Sequence, residues 1–173
     1  IAVFSIASSA ARVQHSVWAI QPRQITDAQH PDVGGIIASE SARAEPGHTT
    51  TVAWITAGAL LMQSGQLTTA QQQDLMPRLL AALGYLRHAT RPSGLIDLPN
   101  ANIESGPDTA FCVQLLATVL ELQPRYAVEH PQWAPLLTQV EAWMRSAAEG
   151  LLGSGFHTPN HRWVMASALA QAQ

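Results

Sequence analysis

Leucines at positions 75, 79, 80, 83 and 86 recur every three or four residues, the spacing that lines one face of an α-helix. This pattern, repeated between glycine and proline breaks, constrains the fold more than any single motif. Val3, Ile6, Ala7, Ala10, Val13 and Val17 follow it and predict a first helix to Trp18. A second, over 48–63, stops at Ser64-Gly65, where Gly65 suits the left-handed C′ position. Thr69 with Gln72 reads as a capping box for a third helix over 69–89, which Pro77 kinks or delays. Pro107 suits the first helical position of a fourth, to Leu122. Leu136, Leu137, Val140, Trp143 and Met144 share a face of a region over 125–149, broken near His130-Pro131 and ended by Gly150, Gly153 and Gly155. A last helix starts at Thr158-Pro159 and runs to the C-terminus. No segment alternates in the strand pattern. The expected class is all-α, built of antiparallel helix hairpins in one domain over 1–173.

Two long segments escape the helical pattern. Residues 21–46 are rich in Pro, Gly, Asp and Glu, contain Gly34-Gly35, and read as a surface loop. Residues 90–107 read as an ordered loop, because Leu95, Ile96, Leu98 and Ile103 give it something to bury. Loops this long in compact domains are usually functional.

Composition excludes several partners. Apolar residues make up 47% of the chain, too many for a disordered segment. Nine arginines and no lysine are scattered singly against twelve acids, for a charge of −3, so no basic stripe exists to track nucleic acid. The longest apolar stretch, Val52 to Met62, is about half of the ~20 residues that cross a bilayer, which argues against a membrane partner. The opening IAVFSIASSAA resembles the apolar core of a signal peptide without an initiator Met or basic residues. It reads as the start of a helix in a trimmed chain and leaves the compartment open. Cys112 is the lone cysteine, in the apolar run Phe111-Cys112-Val113. A buried thiol, with no disulfide and no nucleophilic role, is expected there.

The sharpest candidate chemistry lies at Phe156-His157-Thr158-Pro159-Asn160-His161-Arg162-Trp163. Thr158 can cap a helix and Pro159 can begin it. Asn160, His161 and Arg162 then occupy its first turn, where unpaired N–H groups favour an anion and disfavour imidazolium. A neutral His161 there suits a general base. His157 and His161 also have an H-x3-H spacing, but the Thr158-Pro159 break separates them and no Glu follows His157, so no metal or other cofactor is expected. The 90–107 loop adds Asp97, Asn100, Asn102 and Glu104 as candidate sugar contacts, with Asp108 opening the next helix. Ordinary structural roles for these groups compete with each reading, because acids and amides commonly bind loop amides and helix starts.

The segments GLIDLPNANIESGPDTAF (94–111) and GFHTPNHRWVMASALAQA (155–172) resemble bacterial proteins of the heparinase II/III-like family. HPDVGGI (30–36) and EPGHTT (45–50) are similar to turns at the first helix hairpins of such proteins. The resemblance implies an (α/α)-toroid and β-elimination on uronic-acid polysaccharides, with Asn160 neutralising the C5 carboxylate and His161 removing the C5 proton. His157, Arg162, Trp163, Asn100, Asn102, Glu104 and Asp97 would contact the polysaccharide or oligosaccharide. The family's proton-donating tyrosine has no motif match here, since only Tyr85 and Tyr126 are available. A closed toroid also needs more helices than this chain supplies, so further helices beyond residue 173, or a half-toroid without catalysis, are expected. Two alternatives stand beside the lyase: a non-catalytic carbohydrate-binding domain, and a glycoside hydrolase using Asp97, Glu104 or Asp108.

Overall fold

The structure, a computed structural model, describes residues 6–99, 102–122, 131–156 and 158–173. It is mostly helical, 65%, with six helices and one small sheet among those residues. The helices are α1 (Ile6–Ile20), α2 (Thr51–Gln63), α3 (Thr69–Ala89), α4 (Gly106–Glu121), α5 (Ala134–Gly153) and α6 (Pro159–Gln171). Short 3-10 turns follow α1 at Gln21–Arg23 and precede α5 at Pro131–Trp133. The expected helix start at Val3 and the stretch from 125 to 130 lie outside the described residues.

Helix ends are set by local donors and acceptors. The capping box of α3 is Thr68 with Gln71, one residue earlier than the Thr69/Gln72 expectation, and each side chain bonds the other's backbone N–H. Both pairs have the right spacing, but Leu67 is buried and Gln72 Nε2 donates to its carbonyl, which fixes where the chain turns in. Helix α3 continues through Pro77, which leaves the carbonyl of Gln73 without its usual helical donor. Both residues are exposed, so water can serve that carbonyl. Helix α2 starts at Thr51 rather than at residue 48, because the N–H groups of Thr51 and Val52 turn back to the carbonyls of Glu45 and Gly47. Gly65 takes φ +68 after α2, as its position at C′ predicts.

The helices form two rows. Gln63 Nε2 donates to the Val119 carbonyl and His48 faces Asp108, so α2 and α4 run parallel, with matching ends side by side. Gln114 Nε2 donates to the Val164 carbonyl, and Gly106 approaches Ser154 and Gly155, which sets α6 parallel to α4 on its other flank. Helices α3 and α5 form the second row, antiparallel to the first. Trp143 Nε1 of α5 donates to Thr90 Oγ1 just past α3, and Gln132 and Thr69 line one cavity where both begin. Between the rows lies one apolar core that includes Trp54, Leu79, Leu83, Leu86, Leu116, Leu136 and Val140. Cys112, Leu83, Leu116, Trp143 and Met144 are buried as the periodicity requires, whereas Leu115 is only half-buried against the core.

The two long loops are pinned. In 21–46, buried Gln24 donates from Nε2 to the carbonyls of Gly34 and Arg78, and the Ile36 N–H donates to buried Thr51 Oγ1. The 90–107 segment holds a short hairpin, β1 (Ile96–Leu98) with β2 (Asn102–Ser105), paired antiparallel with one irregularity. Three- and four-residue strands show no alternation in sequence, which is why this segment reads as plain loop. Gly94 makes the docking of this segment possible: its φ is +85, and a Cβ would lie 2.1 Å from the Ser146 carbonyl oxygen of α5. Gly94→Ala is therefore expected to destabilise the fold by more than ~1 kcal/mol, read as a lower urea midpoint. Gly153→Ala, where a Cβ meets nothing within 4 Å, should be neutral or slightly stabilising in the same measurement.

Candidate functional site

Alternation of the rows has one chemical consequence. Helices α2, α4 and α6 begin at one edge of the molecule, so residues at their N-termini gather there from distant parts of the sequence. Each head carries a partial positive charge, although several of the N–H groups there are already met: Thr51 and Val52 donate to the carbonyls of Glu45 and Gly47, Asp108 to Ser105 Oγ, and His161 to the Thr158 carbonyl. His48 precedes α2, Asp108 lies in the first turn of α4, and Asn160 to Trp163 form the first turn of α6.

At α6 the N-cap position falls to Thr158, as expected, but its hydroxyl does not cap. It donates instead to Asn160 Oδ1 at 2.5 Å. That bond turns the amide so that Nδ2, a donor, is its outward end. No acidic residue lies in this turn. Asn160, Arg162 and Trp163 are exposed, Trp163 by 75%. The Arg162 guanidinium lies 4.9 Å over the Phe156 ring. His161 is half-buried, and its Nδ1 is buried without a hydrogen-bond partner among the described residues. His157 and Asn100 lie outside the described residues.

The hairpin uses most of its polar groups internally. Asp97 Oδ2 accepts from Arg91 Nε at 2.7 Å, and Asp97 Oδ1 accepts the Glu104 N–H at 2.8 Å. Glu104 Oε1 accepts from Ser93 Oγ, and Glu104 itself is held at φ +48, a left-handed conformation that costs of order 1 kcal/mol for a side-chain-bearing residue. Asn102 Nδ2 donates to Ser105 Oγ and to Asp108 Oδ2. Asp97, Asn102 and Glu104 thus build the hairpin, and both carboxylates already accept hydrogen bonds, which weakens the hydrolase alternative.

His48 carries a signal that sequence reading missed. Its Nδ1 is 3.8 Å from Asp108 Oδ1, and its ring lies 4.7 Å from that of Phe111. The Nδ1 atom is buried, with no hydrogen-bond partner among the described residues. Asp108 Oδ2 accepts from Ser105 Oγ at 2.5 Å and Asn102 Nδ2 at 2.7 Å, so Oδ1 is the oxygen left for the imidazole. His48 lines a cavity of about 500 Å³ between residues 40–49 and the hairpin residues Leu98 and Pro99. The readable clue is positional: a histidine and an aspartate each sit at the head of an apolar helix, one full hairpin apart.

Other groups are unsuited to proton transfer. Burial above all, with Asp32 and Glu45 nearby, pushes the Tyr85 phenol far above its ordinary value. Tyr126 lies outside the described residues. Burial, helped by Asp108, likewise raises the Cys112 thiol, so it stays protonated and unreactive. Among the described residues no three His, Cys, Asp or Glu side chains gather as a metal site.

No protein family matches this chain, and no curated protein or solved structure matches it significantly.

The hairpin supplies a pH test. The hydrogen bond from Arg91 above all, with the Glu104 N–H, holds the Asp97 carboxyl below its ordinary value. A depressed folded pKa stabilises above the unfolded value of about 3.9 and is lost as pH falls through the folded one. Asp97→Asn should cost about 1–2 kcal/mol at neutral pH. Urea unfolding of both proteins should show this gap narrowing as pH falls from about 4 downward.

Proposed function

We propose that this chain is the helical part of a polysaccharide-lyase-like protein, an incomplete (α/α)-toroid acting on a uronic-acid-containing polysaccharide. The observation that carries the reading is the first turn of α6, where donors, a half-buried imidazole and an exposed indole are placed together without a side-chain cap. A uronate carboxylate would sit at the positive end of that turn, accepting from Asn160 Nδ2 and Arg162. Neutralising it acidifies the C5 proton, which His161 removes as general base. The electron pair of the C5–H bond then forms the C4=C5 double bond, the C4–O bond breaks with its pair on oxygen, and the departing oxygen takes a proton from water. Trp163 offers a flat apolar face to a sugar ring. Two rows of helices, parallel within each row and antiparallel between them, are compatible with a toroid segment, in which such heads line one rim.

Among the described residues no accessible tyrosine lies at this edge, since Tyr85 is buried, which favours a second reading, a carbohydrate-binding domain without turnover. One experiment separates the two. Uronate polysaccharides incubated with the protein and with its full-length gene product are followed by ultraviolet absorbance of the unsaturated product. Activity that falls about 10²–10⁴-fold in His161→Gln, and comparably in Asn160→Ala, supports elimination. Saturable binding without product, retained in His161→Gln and lost in Trp163→Ala, supports the binding domain. Neither product nor binding would overturn both.

A further inference from the structure

Elimination at the α6 turn leaves the cavity at the head of α2, lined by His48, Arg43 and two glutamates, without a task. His48 is held on two sides, by the Phe111 ring and by Asp108. With Nδ1 buried and facing a carboxylate whose other oxygen is occupied, the favoured tautomer carries its proton on Nδ1. Nε2 is then an acceptor and the only ring nitrogen left for the cavity that His48 lines.

The remaining walls define what fits. Glu40 and Glu45 supply carboxylates, with Glu45 fixed by Ser41 Oγ at 2.5 Å. Arg43 and Thr49 supply donors. Carboxylates outnumber cations here, with Asp108 adding a further negative charge behind His48, so an anionic ligand is repelled. Closely placed acceptors and donors beside the apolar Leu98 and Pro99 suit a ligand that has hydroxyls on its rim and C–H groups on its face. A volume of about 500 Å³ holds a sugar ring.

We propose that this cavity is a binding subsite for an uncharged sugar ring, with His48 accepting from a ring hydroxyl through Nε2 and Asp108 as its positioning residue. The choice of a sugar rests on the saccharide reading above, but the subsite is electrostatically opposite to the α6 turn. The two ends of the edge thus select different units of one glycan: a carboxylate at α6, a neutral ring at α2.

The test is a titration of the full chain, with the His48 imidazole and the Trp163 indole followed by NMR. The probes are glucose, galactose, mannose and xylose on one side, glucuronate and galacturonate on the other. A saturable shift of His48 with at least one neutral sugar, and none with either uronate, is the expected result. Glu45→Gln should weaken that binding about tenfold, the loss of one charge-assisted hydrogen bond. Asp108→Asn should also alter the His48 tautomer, read from its ¹⁵N shifts, which a purely structural aspartate would leave unchanged. No His48 shift with any neutral sugar, or an equal shift with uronates, overturns the subsite. If a neutral sugar moves His48 while uronates leave Trp163 unmoved, the elimination reading falls and the subsite stands; the reverse pattern removes the subsite alone.

Discussion

The hydroxyl of Thr109 ties the hairpin to the central helix. Thr109 is fully buried, and its Oγ1 accepts the Ile96 N–H at 3.1 Å and donates to the Ser105 carbonyl at 2.7 Å. One side chain in the first turn of α4 therefore satisfies both strands of the hairpin where they enter the core. Both bonds are out of water, where an unmet partner costs about 1–3 kcal/mol. The hairpin and the head of α4 are referenced to this point. Ser105 caps α4 and holds Asp108, Asn102 completes that grip, and Leu98 at the end of β1 packs over Gly47 beside the cavity.

Close backbone approaches do the rest of the positioning. Gly94 and Gly150 bring the hairpin and α5 together closely enough that a Cβ on either would strike a carbonyl oxygen. Gly34 does the same for the 21–46 segment against Ala81 of α3. The described parts of both long segments thus pack directly on the helices.

Most of the helices were legible in the chain, because buried leucines at helical spacing have few other solutions. The α3 stripe from Leu75 to Leu86 and the start of α6 at Pro159 agree with the sequence reading nearly to the residue. Strands as short as Ile96–Leu98 carry no periodicity, and their pairing depends on Thr109 and Asp97, which no local pattern reveals. Asn160 and His161 were legible as candidates because helix-start chemistry is local. His48 was not, because its meaning comes from Asp108, sixty positions on, and from the parallel course of α2 and α4 that joins them. Asp97, Asn102 and Glu104 looked available in sequence and are largely spoken for in the fold. Counting polar residues in a loop does not show where their hydrogen bonds go.

The side chain of Thr158, turned toward Asn160 instead of the backbone, leaves α6 a helix whose first turn is unfinished. Helix ends without a cap fray, and a missing cap is worth about 1 kcal/mol. An anion seated there would act as the absent residue and close the turn that holds it. Ligand and helix are then partners in one folding equilibrium: occupancy draws the turn toward order, and order sharpens the geometry that recognises the ligand. On the proposed reading, part of the secondary structure would then be in the hands of the ligand.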